Sequence, residues 1–91
     1  MRYEFKKPYE FEEVTYTELE YDLDALTGAD ISAAKRQYAA AGNFSPIPTT
    51  DSDFCVYILA RVTKKPLEFF TEMPARDYCA LTQQVSNFLM A

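Results

Sequence analysis

Four carboxylates, Glu18, Glu20, Asp22 and Asp24, recur at every second position of one short stretch. Alternate residues of an extended strand share a face, so the four would stand in a row. Such a row could do general acid–base work or hold a hard cation such as calcium. Acid–base work needs a pocket that desolvates a carboxyl group, and the outer face of a strand supplies none. Asp22-Leu23-Asp24 opens like a calcium loop, yet no glycine stands at the sixth position and no glutamate at the twelfth. The row is expected to be a solvated acidic face.

The other reactive groups are few. Cys55 and Cys79 lack C-x-x-C spacing and the chain has no histidine, so neither a zinc site nor a thiol–imidazole pair is expected. Each cysteine falls inside an apolar helical pattern and is expected to be a reduced, buried thiol. Gly28 and Gly42 are the only glycines, too few for a phosphate-cradling loop. Arg61, Lys64 and Lys65 form a small basic spot that suits the negative end of a helix. No catalytic residues, metal or cofactor are expected, and binding is the remaining role.

The elements that must carry any binding surface follow from periodicity. Tyr3, Phe5, Tyr9 and Phe11 occupy odd positions between charged residues, the period-2 pattern of a half-buried strand. Pro8 cannot donate to a ladder and predicts an edge or a kink near Lys7. Glu12-Glu13 is the expected hairpin tip, although glutamates suit tight primed turns poorly. The returning strand places Val14 and Tyr16 on even positions and Leu19, Tyr21 and Leu23 on odd ones. That parity switch predicts a bulge at Thr17-Glu18, with Phe5 beside Tyr21 and Tyr3 beside Leu23.

Thr27-Gly28-Ala29-Asp30 has capping-box spacing and opens a helix over 27–42, with Ile31, Ala34, Tyr38 and Ala41 on one face and Gly42-Asn43 as its stop. Thr50 and Asp53 predict a second helix over 50–63, apolar nearly all round and therefore central. A short helical turn over 66–72 presents Phe69 or Phe70 to the core. A last helix over 74–90 carries Tyr78, Leu81, Val85 and Phe88 as its stripe. The expected fold is α+β, one domain over 1–91, with an N-terminal antiparallel β-hairpin (1–24) packed on three to four C-terminal helices.

Charge narrows the partners. Net charge is −5, and residues 8–34 hold eight acidic side chains and no Lys or Arg. Such a surface repels phosphate backbones, which argues against nucleic acid and anionic membranes. The longest apolar run, 54–60, is too short to span a bilayer, and Met1-Arg2-Tyr3-Glu4 does not open a signal peptide. The free edges of a two-stranded ribbon allow a partner strand or a second copy to add. The expected binding face is the hairpin with the first helix, through Tyr9, Phe11, Tyr16, Ile31 and Tyr38.

Leu23-Asp24-Ala25-Leu26-Thr27-Gly28-Ala29-Asp30, reached through an alternating strand, resembles the phage tail assembly chaperones of the Mu-like and P2-like type. Phe5-Lys6-Lys7-Pro8 with Phe11, Tyr16-Thr17-Glu18-Leu19, and the closing Met73-Pro74-Ala75-Arg76-Asp77-Tyr78 are similar to the same group. The hairpin tip departs from it, because relatives tend to carry glycine where this chain has Glu12-Glu13. The resemblance implies a non-enzymatic protein of the host bacterial cytoplasm, absent from the mature virion. It would bind the tape-measure protein and the tail-tube protein and keep the former soluble during tail assembly. The alternative is a small acidic regulatory or adaptor domain, antitoxin- or anti-repressor-like, that binds a basic protein.

Overall fold

The computed structural model describes residues 1–91, Thr49 by its backbone alone. Two antiparallel strands, β1 (Arg2–Phe11) and β2 (Val14–Glu20), form the only sheet among the described residues. Four α-helices follow: α1 (Gly28–Ala40), α2 (Ser52–Thr63), α3 (Leu67–Thr71) and α4 (Ala75–Met90). Short 3₁₀ turns at Leu23–Ala25 and Pro48–Thr50 lead into α1 and α2. The fold is α+β, as the periodicities predict.

The hairpin turns at Glu12 and Glu13, both in the left-handed region with φ of 50° and 68°. Positive φ at both central residues is the type I′ pattern, whose twist matches that of the flanking strands. Near the tip, Phe11 faces Val14 and Tyr9 faces Tyr16; near the open end, Tyr3 faces Leu19 and Arg2 faces Glu20. Between these two registers, residues 5–8 of β1 stand opposite Thr17 alone, an excess of three residues. The irregularity therefore lies on β1, around Pro8, and not at Thr17-Glu18. Tyr3 accordingly faces Leu19 rather than Leu23. Beyond the strands, Met1 and Tyr21 exchange two hydrogen bonds of 2.7 and 2.9 Å. The chain then leaves the sheet, because Asp22 caps the Leu23–Ala25 turn by accepting from the Asp24 amide at 3.1 Å.

Thr27 starts α1. The Asp30 carboxylate reaches back to the Thr27 amide at 2.9 Å, which satisfies an orphan donor at the helix start. Ala34 and Tyr38 are buried, Ile31 is half-buried and Ala41 is exposed. Gly42, at φ 90°, ends the helix. Asp51, not Thr50, caps α2, accepting from the Asp53 amide at 2.9 Å, while the Thr50 hydroxyl donates to the Ile47 carbonyl. Helix α2 is the central one: Phe54, Cys55, Val56, Ile58 and Leu59 are all buried. Each of the four hydrocarbon side chains among them, withdrawn from water, contributes about 1.5–3 kcal/mol.

Lys64 ends α2 in left-handed geometry, and α3 then carries both Phe69 and Phe70 into the core. Phe69 is the junction between sheet and helices, with edge-on contacts to Tyr9, Phe11, Tyr16 and Phe70 at 4.9–5.3 Å. Helix α4 buries Leu81 and Val85 from the expected stripe, together with Asp77, Thr82 and Ser86. Buried residues of the hairpin and of all four helices join in one core cluster.

Candidate functional site

The acidic row does structural work where it does any. Glu18 accepts an ion pair from Arg2 at 3.3 Å, shared with Glu4 at 2.7 Å. Asp22 is spent on its cap. Asp30, held below the usual carboxylate range chiefly by the Thr27 amide and then by Arg61, pairs with that arginine at 2.9 Å. Among the described residues no group of three His, Cys, Asp or Glu could hold a metal ion. Cys55 is buried, and burial, helped by Asp51, pushes its thiol up to about 11, so little thiolate exists near neutral pH. Cys79 is exposed, contrary to expectation, because its helix position lies off the buried stripe.

Tyrosine hydroxyls stitch the elements together. Tyr3 donates to Asp77 Oδ1 at 2.6 Å, Tyr9 to the Phe69 carbonyl at 2.7 Å and Tyr21 to Gln84, which ties the hairpin to α3 and α4. Tyr38 donates to Asp51 and Tyr78 to Asp53 at 2.7 Å, which ties α1 and α4 to the start of α2. All five phenols are held above their ordinary pKa. Burial is the first cause for Tyr3, Tyr9, Tyr21 and Tyr78. For Tyr38 the bond to Asp51 leads and takes it up to about 12. A phenol that donates to a carboxylate is stabilised in its protonated form.

A surface cleft of about 490 Å³ opens between α1 and the α2–α3 corner. Gln37, Ala41, Tyr57, Ala60, Pro66 and Leu67 line it with the cations Arg61 and Lys65, and no carboxylate does. A second hollow of about 270 Å³ shares Lys65 and Pro66 with it and runs to Phe11, Val14 and Tyr16 at the hairpin tip. Lys65 stands between the two, its ammonium 4.8 Å from the Tyr16 ring centre and 5.0 Å from that of Phe69. Together they form a groove of small, aliphatic and aromatic side chains with Arg61, Lys64 and Lys65 along it and Glu12 at its hairpin end. The sequence of small and aromatic side chains along it suits an apolar segment of another chain, held by shape and by burial of its side chains.

Of the five residues expected on a binding face, Phe11 and Tyr16 line this groove. Ile31 is half-buried on α1 and outside it. Tyr9 and Tyr38 are core residues, 6% and 4% exposed, whose hydroxyls are engaged inside the fold. Sequence reasoning missed Tyr57, Ala60, Lys65 and Leu67. Tyr57 lies in a run apolar all round, where periodicity marks no outer face. Lys65 reads in the sequence as helix-end charge alone.

Fold and surface define a small α+β scaffold with an open groove and with several of its tyrosines and aspartates committed to caps and seams. The family comparison makes the class specific. Residues 2–90 match the family model described as phage tail assembly chaperone proteins, E, or 41 or 14, and the chain belongs to that family. No curated protein and no solved structure matches it. Its role is therefore that of a tail assembly chaperone, with protein partners in the tail. No described helix is long and apolar enough to cross a membrane.

Proposed function

We propose that this chaperone binds the tape-measure protein in the host cytoplasm and keeps it soluble until tail-tube subunits assemble around it, then stays out of the virion. The family match over nearly the whole chain carries this reading. The groove from Tyr57 and Leu67 past Lys65 to Phe11 and Tyr16 is the proposed client face, because it offers apolar surface without a carboxylate in its larger half. The net charge of −5 keeps a chaperone–client complex dispersed.

Co-expression with the tape-measure and tube proteins of the same phage tests the reading. The expected result is a soluble tape-measure protein that co-purifies with the chaperone. Tyr57→Asp and Val14→Asp, both at groove positions with solvent access, are expected to abolish co-purification with the far-UV circular dichroism retained. A tape-measure protein equally insoluble with and without the chaperone defeats the proposal. Retained binding by both variants removes the groove as the client face.

A further inference from the structure

The irregular stretch of β1 does something that a regular strand cannot. Successive residues of a pleated strand point to opposite faces. Yet Lys6 and Lys7, adjacent in sequence, both line one cleft of about 440 Å³, with Pro74, Ala75, Arg76 and the carboxylate of Asp77 on its other side. The excess of three residues between Glu4 and Tyr9 breaks the ladder there, and such bulges re-aim side chains. What holds the bulge in place is Asp77, 1% exposed, whose Oδ1 accepts from the Lys6 amide at 2.9 Å and from the Tyr3 hydroxyl at 2.6 Å. One buried carboxylate at the cleft wall thus pins the backbone of the bulge, while Lys6, Lys7 and Arg76 around it are exposed.

All three cations are exposed, and none makes an ion pair among the described residues. Elsewhere Arg2 and Arg61 are paired and Lys65 lies over two rings. Lys35, Arg36 and Lys64 are also unpaired among the described residues, but only Lys6, Lys7 and Arg76 line one cleft together, three cations against the single carboxylate of Asp77, whose Oδ1 is already taken by two donors. We infer that the Lys6–Lys7–Arg76 cleft is a binding site for an acidic segment of a partner protein, separate from the apolar groove and independent of which protein occupies that groove. An extended segment with two or three nearby carboxylates matches three cations spread over two elements. A nucleic acid fits less well, because the acidic face over residues 8–34 would meet its backbone beyond the cleft.

Isotope-labelled protein titrated with a hexaglutamate peptide, followed by amide chemical shifts, tests this. The expected result is a saturable response concentrated at residues 5–8 and 74–77, weakened about tenfold or more by raising salt from about 0.05 to about 0.3 M. Lys7→Glu and Arg76→Glu, both at exposed positions, are expected to weaken it about tenfold each with thermal stability unchanged. Lys35→Glu on α1 is the control and is expected to leave it intact. Shifts spread equally over Lys35, Arg36 and Lys64 overturn the inference, as does no saturable response. Inorganic phosphate that saturates the same amides as tightly as the peptide makes this a single-anion site and overturns the acidic-segment assignment. Peptide binding that competes with self-association of the protein, seen by light scattering, reassigns the cleft to a second copy of the chain.

Discussion

The two glutamates at the hairpin tip hold a backbone conformation that their side chains disfavour, and relieving it is expected to stabilise the protein. Glu12 and Glu13 sit at φ 50° and 68°. Left-handed geometry costs a residue with a Cβ about 1–2 kcal/mol, and glycine escapes that cost. Glycine also gives the unfolded chain more freedom, which returns about 0.5–1 kcal/mol of the gain. Glu13→Gly alone should therefore stabilise by roughly 0.5–1 kcal/mol, and Glu12→Asn with Glu13→Gly by about 1–2 kcal/mol. For a domain of this size each kcal/mol moves Tm by about 4–8 °C, so the double variant should melt roughly 5–15 °C higher. Urea unfolding measures the same change at constant slope. Glu13→Ala is the decisive control, since it removes the charge and keeps the Cβ. A gain from Glu13→Ala equal to that from Glu13→Gly would show that charge repulsion beside Glu10 and Glu12, not backbone strain, governs the turn. A loss of stability in Glu13→Gly would refute the reasoning outright.

Three further outcomes follow from the same geometry. Asp77→Ala strands the Tyr3 hydroxyl and the Lys6 amide and should cost about 2–5 kcal/mol by urea unfolding; Asp77→Asn, which keeps an acceptor, should cost less than half of that, and a cycle with Tyr3→Phe should show coupling of about 1 kcal/mol. The five seam tyrosines have folded pKa values above their unfolded ones, so their contribution is complete below about pH 10 and lost as pH rises through the folded values. Tm is expected to stay level from neutral pH to about 10 and fall above it, and Asp51→Asn, which keeps the cap but not the charge, should bring Tyr38 back down in a phenolate titration. A thiol reagent should modify Cys79 in the folded protein at once and Cys55 only at the rate of unfolding, read from the stoichiometry of the fast and slow phases.

How far the sequence shows the fold depends on the range of the interaction that decides each element. Helix α2 is legible from its unbroken apolar run, and the start of α1 from Thr27 to Asp30, because both are settled within a few residues. The hairpin is legible as a parity pattern, and the switch between Tyr16 and Leu19 signals an irregularity, expected as one extra residue at Thr17-Glu18 and found as three extra residues on β1. Parity cannot say which strand absorbs them. Pro8 points to a kink on β1 near Lys7, and Asp77, which accepts from the Lys6 amide across 71 positions of sequence, holds it there. Burial is equally non-local: spacing puts Tyr9 and Tyr38 on apolar faces without saying whether the fold or a partner covers them, and their hydroxyl partners, the Phe69 carbonyl and Asp51, become visible only in three dimensions. The groove follows the same rule. Its hairpin end, Phe11 and Tyr16, carries an aromatic signal, whereas its floor joins residues of α1, α2 and α3 that no local pattern connects.

The tyrosine stitching has a practical corollary. The chain has no tryptophan, and its seven tyrosines supply nearly all of its near-ultraviolet absorbance. Five of them have their hydroxyl protons at boundaries between elements, so each boundary has a built-in indicator. When the hairpin lifts from α3 and α4, Tyr3, Tyr9 and Tyr21 will ionise like free phenol, while Tyr38 and Tyr78 continue to report on α2. A client that docks in the groove and one that pries the hairpin away would leave different ultraviolet titration curves on an unlabelled protein.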